Sequence, residues 1–408
     1  MVQENKPLML VFPFNRLSHY LRCITLVEHF KQNFRILFAH SDEYYPFVEQ
    51  SGFETFALRS PDANAVMAKV KSFDFSWLNE RDLKPAFLDM LRVIEHYQPL
   101  VVLGDTSFSL KMAAEKTAVF YVSLMNGYMS KYYGRVRKMS SSHPAHSYLQ
   151  HLTPKAVQIM TILGEAAAFR KIHKPYKLLR RKYALSKQNT YPDELEGDLN
   201  LICDLPQIFP QRALPANYRW VPPLNYQARN IPVCKVRELI DPAKKTILVS
   251  MGSTGDWGRM AFLEDEHFEN YNLIIAGDTA GNIRAAHSLR YDFINMSEVM
   301  PLTDLFICHG GNGSTNLGLS YGVPMLCMTD HFEQEWNAGR LELLGLCAIL
   351  NGRTKEEILR LTGSWATRKD SAVHLEMQKN VAEANLIFGK TKGDILNLLP
   401  AFEHLEKH

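Results

Sequence analysis

The sequence predicts an α/β protein built as two doubly wound, Rossmann-like parallel-sheet domains facing each other across a cleft. Three observations predict it. Short apolar runs of strand length alternate with amphipathic stretches of helix length through most of the chain. The alternation lapses in a proline-punctuated stretch over 206–232 and then restarts. The 408 residues, 46% hydrophobic and 22% charged, suit two globular domains and exclude disordered or fibrous architectures.

Residues 8–12 form a continuous apolar run suited to a buried parallel strand. A polar loop over 14–19 leads into a helix capped by Ser18 and running to about 32, with Leu21, Ile24, Leu26, Val27 and Phe30 near helical spacing. Strand 34–39, a short helix over 46–51 closed by Gly52, and strand 55–58 follow. A helix over 79–97 precedes a strand over 100–103 that delivers Gly104 and Asp105 to its C-terminal end. Residues 108–116 are helical and 119–123 a strand. Residues 128–188 lose strand character and read as basic helices, and 199–203 is the last strand of this half. In the second half, strands fall at 246–250, 273–276, 305–308 and 325–328, and 370–399 reads as helix. The domains are placed at 1–220 and 241–385, joined by a linker over 221–240.

Composition narrows the function classes. No apolar run approaches the eighteen or so residues of a membrane helix, and 7–14 carries prolines and no cleavage site, so it reads as a strand and not a signal peptide. The six cysteines are scattered without a CxxC pair, which argues against a zinc knuckle or disulfide framework and fits a reducing cytoplasm. Between 128 and 188 there are thirteen Lys/Arg and one acid, Glu165, although the whole chain is only +3. Two clusters stand out: Lys131, Arg135, Arg137 and Lys138, then Arg170, Lys171, Lys174, Lys177, Arg180, Arg181 and Lys182. They point to an anionic acceptor, to peripheral contact with an anionic membrane, or to a solvated basic face. Val157, Ile159, Met160, Ile162 and Leu163 between them suit ordinary core, which is the alternative to membrane docking. Nucleic acid is not an expected partner.

The most informative stretch is 304–325. A buried strand ends in His309, three glycines follow within four residues (Gly310, Gly311, Gly313), then Ser314, Thr315 and a helix closed by Gly322. This is the physical recipe for a phosphate site: glycines permit close backbone approach, the next N–H groups point at the anion, and the helix dipole favours negative charge. The spacing matches neither GxGxxG nor a Walker loop.

Here the residues resemble the C-terminal signature of family 1 nucleotide-sugar glycosyltransferases of the GT-B fold, in particular the bacterial flavonoid- and macrolide-type enzymes. His309-Gly-Gly, Ser314-Thr315, Gly322-Val-Pro324 and Glu333-Gln334-Glu-Trp-Asn337 occur in the order and spacing of that signature. Met251-Gly-Ser-Thr254 looks like its strand-end Gly-Ser turn, and 198–223 like the end of its acceptor domain. The resemblance implies an acceptor-binding first domain, a donor-binding second domain, and a helix over 386–408 that crosses back to the first. It places Ser253, Thr254, Gly311 and Gly313 in the donor site and His309 on the α-phosphate. Ser314, with the amides of Asn312 to Thr315, takes the β-phosphate, and Glu333 and Gln334 take sugar hydroxyls. Phe293 and Ile294 stand where the family packs the base, and Leu317 where many members carry a ribose-binding glutamate.

His19, after the first strand and near a helix N-terminus, stands where the family has its general base. A neutral imidazole suits deprotonation of an acceptor hydroxyl, and Asp105, at the family's aspartate position, would orient it. Both turns fall on the same sheet edge. The expected reaction is inverting, metal-independent transfer from a UDP- or TDP-type sugar to a small-molecule or lipid hydroxyl. The nucleotide sugar is co-substrate, no cofactor is expected, and no Asp-x-Asp offers a metal site. Two alternatives stay open: a GT-B nucleotide-sugar epimerase, and a non-catalytic nucleotide-sugar-binding or activator protein.

Overall fold

A computed structural model describes residues 6–59, 61–149, 151–227, 235–252, 255–277, 281, 283–285 and 287–400. The chain divides into two compact units. Unit 1 holds Met1–Tyr226 and Leu386–His408, and unit 2 holds Gln227–Asn385. Part of the expected 221–240 linker lies outside the described residues.

Unit 1 is a seven-stranded sheet of β1 (Leu8–Pro13), β2 (Arg35–Ala39), β3 (Glu54–Phe56), β4 (Val101–Asp105), β5 (Phe120–Met125), β6 (Leu199–Cys203) and β7 (Tyr218–Val221). The order is β3-β2-β1-β4-β5-β6-β7, parallel throughout. Unit 2 carries six parallel strands: β8 (Thr246–Ser250), β9 (Asn272–Ala276), β10 (Ser288–Tyr291), β11 (Leu305–Cys308), β12 (Met325–Cys327) and β13 (Cys347–Ile349). Their order is β10-β9-β8-β11-β12-β13. Central strands such as Leu10-Val11, Val101-Val102 and Ile247-Leu248-Val249 are fully buried. Helices therefore cover both faces of each sheet, which is why these strands read as unbroken apolar runs. In unit 1, Met9, Val11, Ile24, Leu103, Val122 and Leu201 pack into one core that also takes Phe388, Ile395 and Leu399. Unit 2 has its own core around Ile247, Ile275, Ile307, Leu326 and Trp365.

Several local readings change. The first helix runs Leu17–Val27, with Arg16 at its N-cap and no side-chain cap, so Ser18 lies inside the first turn and caps nothing. It stops short of 32 because His29 and Phe30 donate to the carbonyls three residues back, tightening the chain so that Phe30 turns into the core. β7, β10 and β13 are sheet-edge strands of three or four residues; β7 and β10 lack a long apolar run, whereas β13 lies within the apolar run 346–350. Within 128–188 the described helices are His146–Leu149, Pro154–Ile172 and Lys174–Lys182, and the chain before them is irregular.

Many of the basic residues there serve the fold. Arg180 grips both oxygens of Glu194 at 2.7 Å and Glu115 at 2.6 Å, and His173 Nε2 lies 2.7 Å from Glu194. Arg137 donates to the carbonyls of Tyr128 and Ser130 and to Glu165, and Lys131 pairs with Asp193 and Glu196.

Candidate active site

The strand order reverses between β1 and β4 in unit 1 and between β8 and β11 in unit 2. In open parallel sheets, ligands bind beyond the carboxyl ends of the strands at such reversals. His19 and Asp105 in unit 1, and His309 with the turn that follows it in unit 2, lie at these reversals.

In unit 1, the amide of Phe14 donates to the Asp105 carbonyl at 2.9 Å, pinning the end of β1 to the end of β4. His19 sits in the first turn of Leu17–Val27, and its Nδ1 lies 2.9 Å from Asp105 Oδ1. The Phe14 ring stands edge-on to the imidazole at 5.6 Å. Asp105 is fully buried, whereas His19 keeps 13% of its side chain exposed. Arg22, one turn beyond His19, donates to both Asp105 oxygens and to Asn126 Oδ1. Asn126 in turn donates to the Tyr128 hydroxyl at 2.6 Å.

Burial alone pushes the Asp105 carboxyl up. The charge of Arg22 and the bonds from His19 and Arg22 overcome it and hold the group down at about 2. Asp105 is therefore an anion that accepts from its neighbours. Arg22 Nη2 lies 3.2 Å from His19 Nδ1 as well, but a lone pair on Nδ1 would face the carboxylate. The anion thus fixes the proton on Nδ1 and leaves the lone pair on Nε2, which has no hydrogen-bond partner among the described residues. This is the base-competent tautomer. Sequence reasoning did not find Arg22 and Asn126. The signal for Arg22 was a lone arginine in an otherwise apolar run (Cys23, Ile24, Leu26, Val27), three residues after His19.

In unit 2, His309 directly follows β11 and the helix Asn312–Ser320 starts three residues later. Gly252, after β8, and Gly311 enclose the imidazole. A Cβ on Gly252 would meet Cε1 at 2.7 Å, and one on Gly311 would collide with Nε2. Gly310 has φ +76° and Gly252 φ +58°, conformations that favour glycine. Gly252 and Gly311 leave room for the ring, while Gly310 packs against Thr329 and Ala338. Gly311 is the N-cap and supplies no side chain, so no cap spans the first turn carrying Asn312, Gly313 and Ser314. Space beside Gly313 is open: a Cβ there would meet nothing within 4 Å.

Thr315 builds this turn. Its amide donates to Gly311 O, and its buried hydroxyl donates to the Gly311 and Asn312 carbonyls while accepting from Asn337 Nδ2 at 2.7 Å. Asn337 also donates to Gly310 O at 2.9 Å, tying the helix Phe332–Leu343 to the glycine turn. That explains a motif position given no role from the sequence. Glu333 stands half-buried in the first turn of this helix. Gln334 is buried and accepts from the Asp330 amide at 2.8 Å. Phe293 is 46% exposed and Ile294 buried, both following β10. Ser253 and Thr254 lie outside the described residues.

A cavity of about 910 Å³ opens at the opposite edge of the unit 1 sheet, lined by Glu95, Lys111, Glu115, Glu196 and Asp198 among others. It lies at the amino ends of β4–β6, away from the reversal of unit 1. Among the described residues no His/Cys/Asp/Glu group is arranged to hold a metal ion, and no helix is long and apolar enough to cross a membrane.

Two parallel Rossmann-like sheets of this order match the GT-B fold, and comparison with solved structures agrees. The chain matches the glycotransferase of kitacinnamycin with TM-score 0.68 and 15% identity, over 97% of this chain and 100% of that one. It matches the spinosyn rhamnosyltransferase SpnG, complexed with thymidine diphosphate, with TM-score 0.65 and 14% identity, over 93% and 98%. In sequence the chain is similar to mycobacterial PGL/p-HBAD biosynthesis glycosyltransferases. It is 24% identical over 279 residues to a PGL/p-HBAD biosynthesis glycosyltransferase of Mycobacterium tuberculosis, covering 67% of this chain and 64% of that protein. It is 24% identical over 267 residues to a PGL/p-HBAD biosynthesis rhamnosyltransferase of Mycobacterium bovis, covering 64% and 58%. These matches thus span less than two thirds of the relatives' length. A further relative, 27% identical over 148 residues, is an inactive PGL/p-HBAD biosynthesis glycosyltransferase of Mycobacterium bovis. No protein-family model matches the chain.

Proposed function

We propose that this protein is a cytoplasmic, inverting glycosyltransferase that moves a sugar from a nucleotide-diphospho-sugar to an acceptor hydroxyl. The observation that carries the reading is the His19–Asp105 pair at 2.9 Å, in its base-competent tautomer, at the sheet reversal of a GT-B unit. Unit 1 takes the acceptor and unit 2 the donor. His19 Nε2 removes the hydroxyl proton as the oxygen attacks the anomeric carbon and the bond to the diphosphate breaks. Asp105 stabilises the imidazolium, and Arg22 holds Asp105 in place. The departing diphosphate collects its charge at the amides of Asn312–Ser314, the Ser314 hydroxyl and His309. Glu333 and Gln334 address the donor sugar, and Phe293 the base. No step calls on a metal ion.

The donor is a thymidine-type nucleotide sugar. Leu317 cannot accept from a ribose 2′-hydroxyl, and one structural neighbour is a rhamnosyltransferase complexed with thymidine diphosphate. The acceptor is a small aglycone or lipid hydroxyl, in line with the PGL/p-HBAD names of the sequence relatives. The intact His19–Asp105 pair favours catalysis over donor binding alone.

The test is incubation with TDP- and UDP-sugars and a panel of phenolic and aliphatic acceptors, reading nucleotide release and the product anomer. Transfer with inverted anomeric configuration, faster from TDP- than UDP-sugars, is the expected result. Absence of both transfer and slow donor hydrolysis for every nucleotide sugar overturns the reading. Retained configuration overturns the single displacement. Gly311→Ala, which drives a methyl into His309, lowers TDP affinity by calorimetry. Unchanged affinity removes His309 from the phosphate site.

A further inference from the structure

The helix Pro154–Ile172 wears its apolar side outward. Ile159 is 51% exposed, Leu163 66%, and Met160 and Ile162 are close to half exposed, while Thr161 is buried. Its rotation is set by Glu165, which turns inward to Arg137 at 2.5 Å. A helix on a water-facing surface normally turns its polar side out.

Cations frame this stripe. Lys155, Ile159 and Leu163 recur every four residues, and Arg170 continues the same exposed line, so a cation stands at each end. The next helix, Lys174–Lys182, buries Tyr176, Leu179 and Arg180 and exposes Lys174, Lys177, Leu178 and Arg181 at i, i+3, i+4 and i+7. Leu178 is 58% exposed. Arg137, Arg180, Lys131 and Lys182 face carboxylates. Among the described residues, Lys155, Arg170, Lys171, Lys174, Lys177 and Arg181 join no ion pair, and the only acid within 128–188 is the paired Glu165.

The geometry points to a peripheral docking face for an anionic lipid bilayer on these two helices. Ile159, Met160, Leu163 and Leu178 enter the acyl boundary, while the six free cations lie among the headgroup phosphates. Charge complementarity selects this occupant: the face pairs an apolar stripe with cations of one sign and carries no compensating acid. The inference stands on exposure and charge, independently of the transferase reading.

The experiment is co-sedimentation of the full chain with vesicles of neutral phosphatidylcholine, or of phosphatidylcholine mixed with phosphatidylglycerol, at low and high salt. Sedimentation is expected with the anionic vesicles only, weakening roughly tenfold or more as salt screens the headgroups. Each neutralised cation should cost about fivefold in partitioning. Ile159→Glu with Leu163→Glu, and Lys174→Gln with Lys177→Gln and Arg181→Gln, both lose vesicle binding at unchanged melting temperature, since all five side chains are exposed. No binding to anionic vesicles, equal binding to neutral ones, or binding untouched by both variant sets overturns the proposal. A concentration-dependent dimer that the glutamate pair abolishes, without vesicle binding, gives the face to a second copy and overturns it too.

Discussion

Unit 1 contains two clusters made from a histidine, a carboxylate and an arginine, and they serve opposite ends. His19–Asp105–Arg22 and His173–Glu194–Arg180 share the same logic: a buried carboxylate meets both a histidine nitrogen and an arginine. The histidine-to-oxygen distances are similar, 2.9 and 2.7 Å. The difference lies in access. His19 keeps 13% of its side chain exposed at the sheet reversal, while His173 keeps 3%, packed parallel to the Tyr176 ring. A perturbed charge cluster is therefore not by itself an active site. On the proposed reading, the same pairing serves chemistry where one histidine nitrogen reaches a ligand surface, and scaffolding where none does.

Replacing each histidine breaks the comparison most sharply. His19→Ala should lower transfer by about 10²–10⁴-fold with donor affinity and melting nearly unchanged. His173→Ala should leave turnover per folded molecule intact while lowering the melting temperature. Equal turnover losses from both would erase the distinction.

The carboxylate of the buried cluster should dominate stability. Glu194→Ala strands Arg180 and His173 inside the protein, an expected loss of about 3–5 kcal/mol on chemical denaturation of unit 1. A loss under about 1 kcal/mol would mean that water reaches the cluster.

The arginines sharpen the contrast further. Arg22→Lys keeps the charge but cannot fork across Asp105, so kcat should fall by up to about 100-fold with donor affinity unchanged. The acid limb of its pH–rate profile should also shift, which a simple packing defect would not cause. Arg180→Lys should lower the melting temperature and leave that profile in place.

The smallest effect concerns acid. The carboxyl of Asp105 ionises at about 2 in the folded state, below an unfolded aspartate. Its contribution, on the order of 2 kcal/mol, is fully present above about pH 4 and is lost as pH falls towards 2. Wild type and Asp105→Asn should therefore differ in stability at neutral pH and converge through that window. A constant difference from pH 7 to 2 would show that Asp105 is not held as an anion.

What was legible in the sequence follows from the same physics. Parallel strands covered on both faces announce themselves as apolar runs, so the central strands and their turns could be read directly. His19, Asp105 and the 309–315 turn were legible because each follows such a run. Edge strands β7 and β10 carry no such run and were not, and β13, although it lies in the run 346–350, was passed over. Arg22 and Asn126 escaped because their partners are distant in sequence: Asp105 lies 83 residues from Arg22, and Arg22 lies 104 from Asn126. Only folding brings a buried cation to its anion. The basic segment was legible as charge, but which cations are spent on Glu115, Glu165 and Glu194 was set by tertiary contacts.

Unit 1 is discontinuous in sequence, and that orders its assembly in time. Its hydrophobic interior includes Phe388, Ile395 and Leu399, which leave the ribosome only after all of Gln227–Asn385. During synthesis the amino-terminal sheet waits with an unfilled groove while unit 2, continuous in sequence, has every residue it needs. Nascent chains released before residue 388 should present that groove to chaperones, although most of the sheet has already been made.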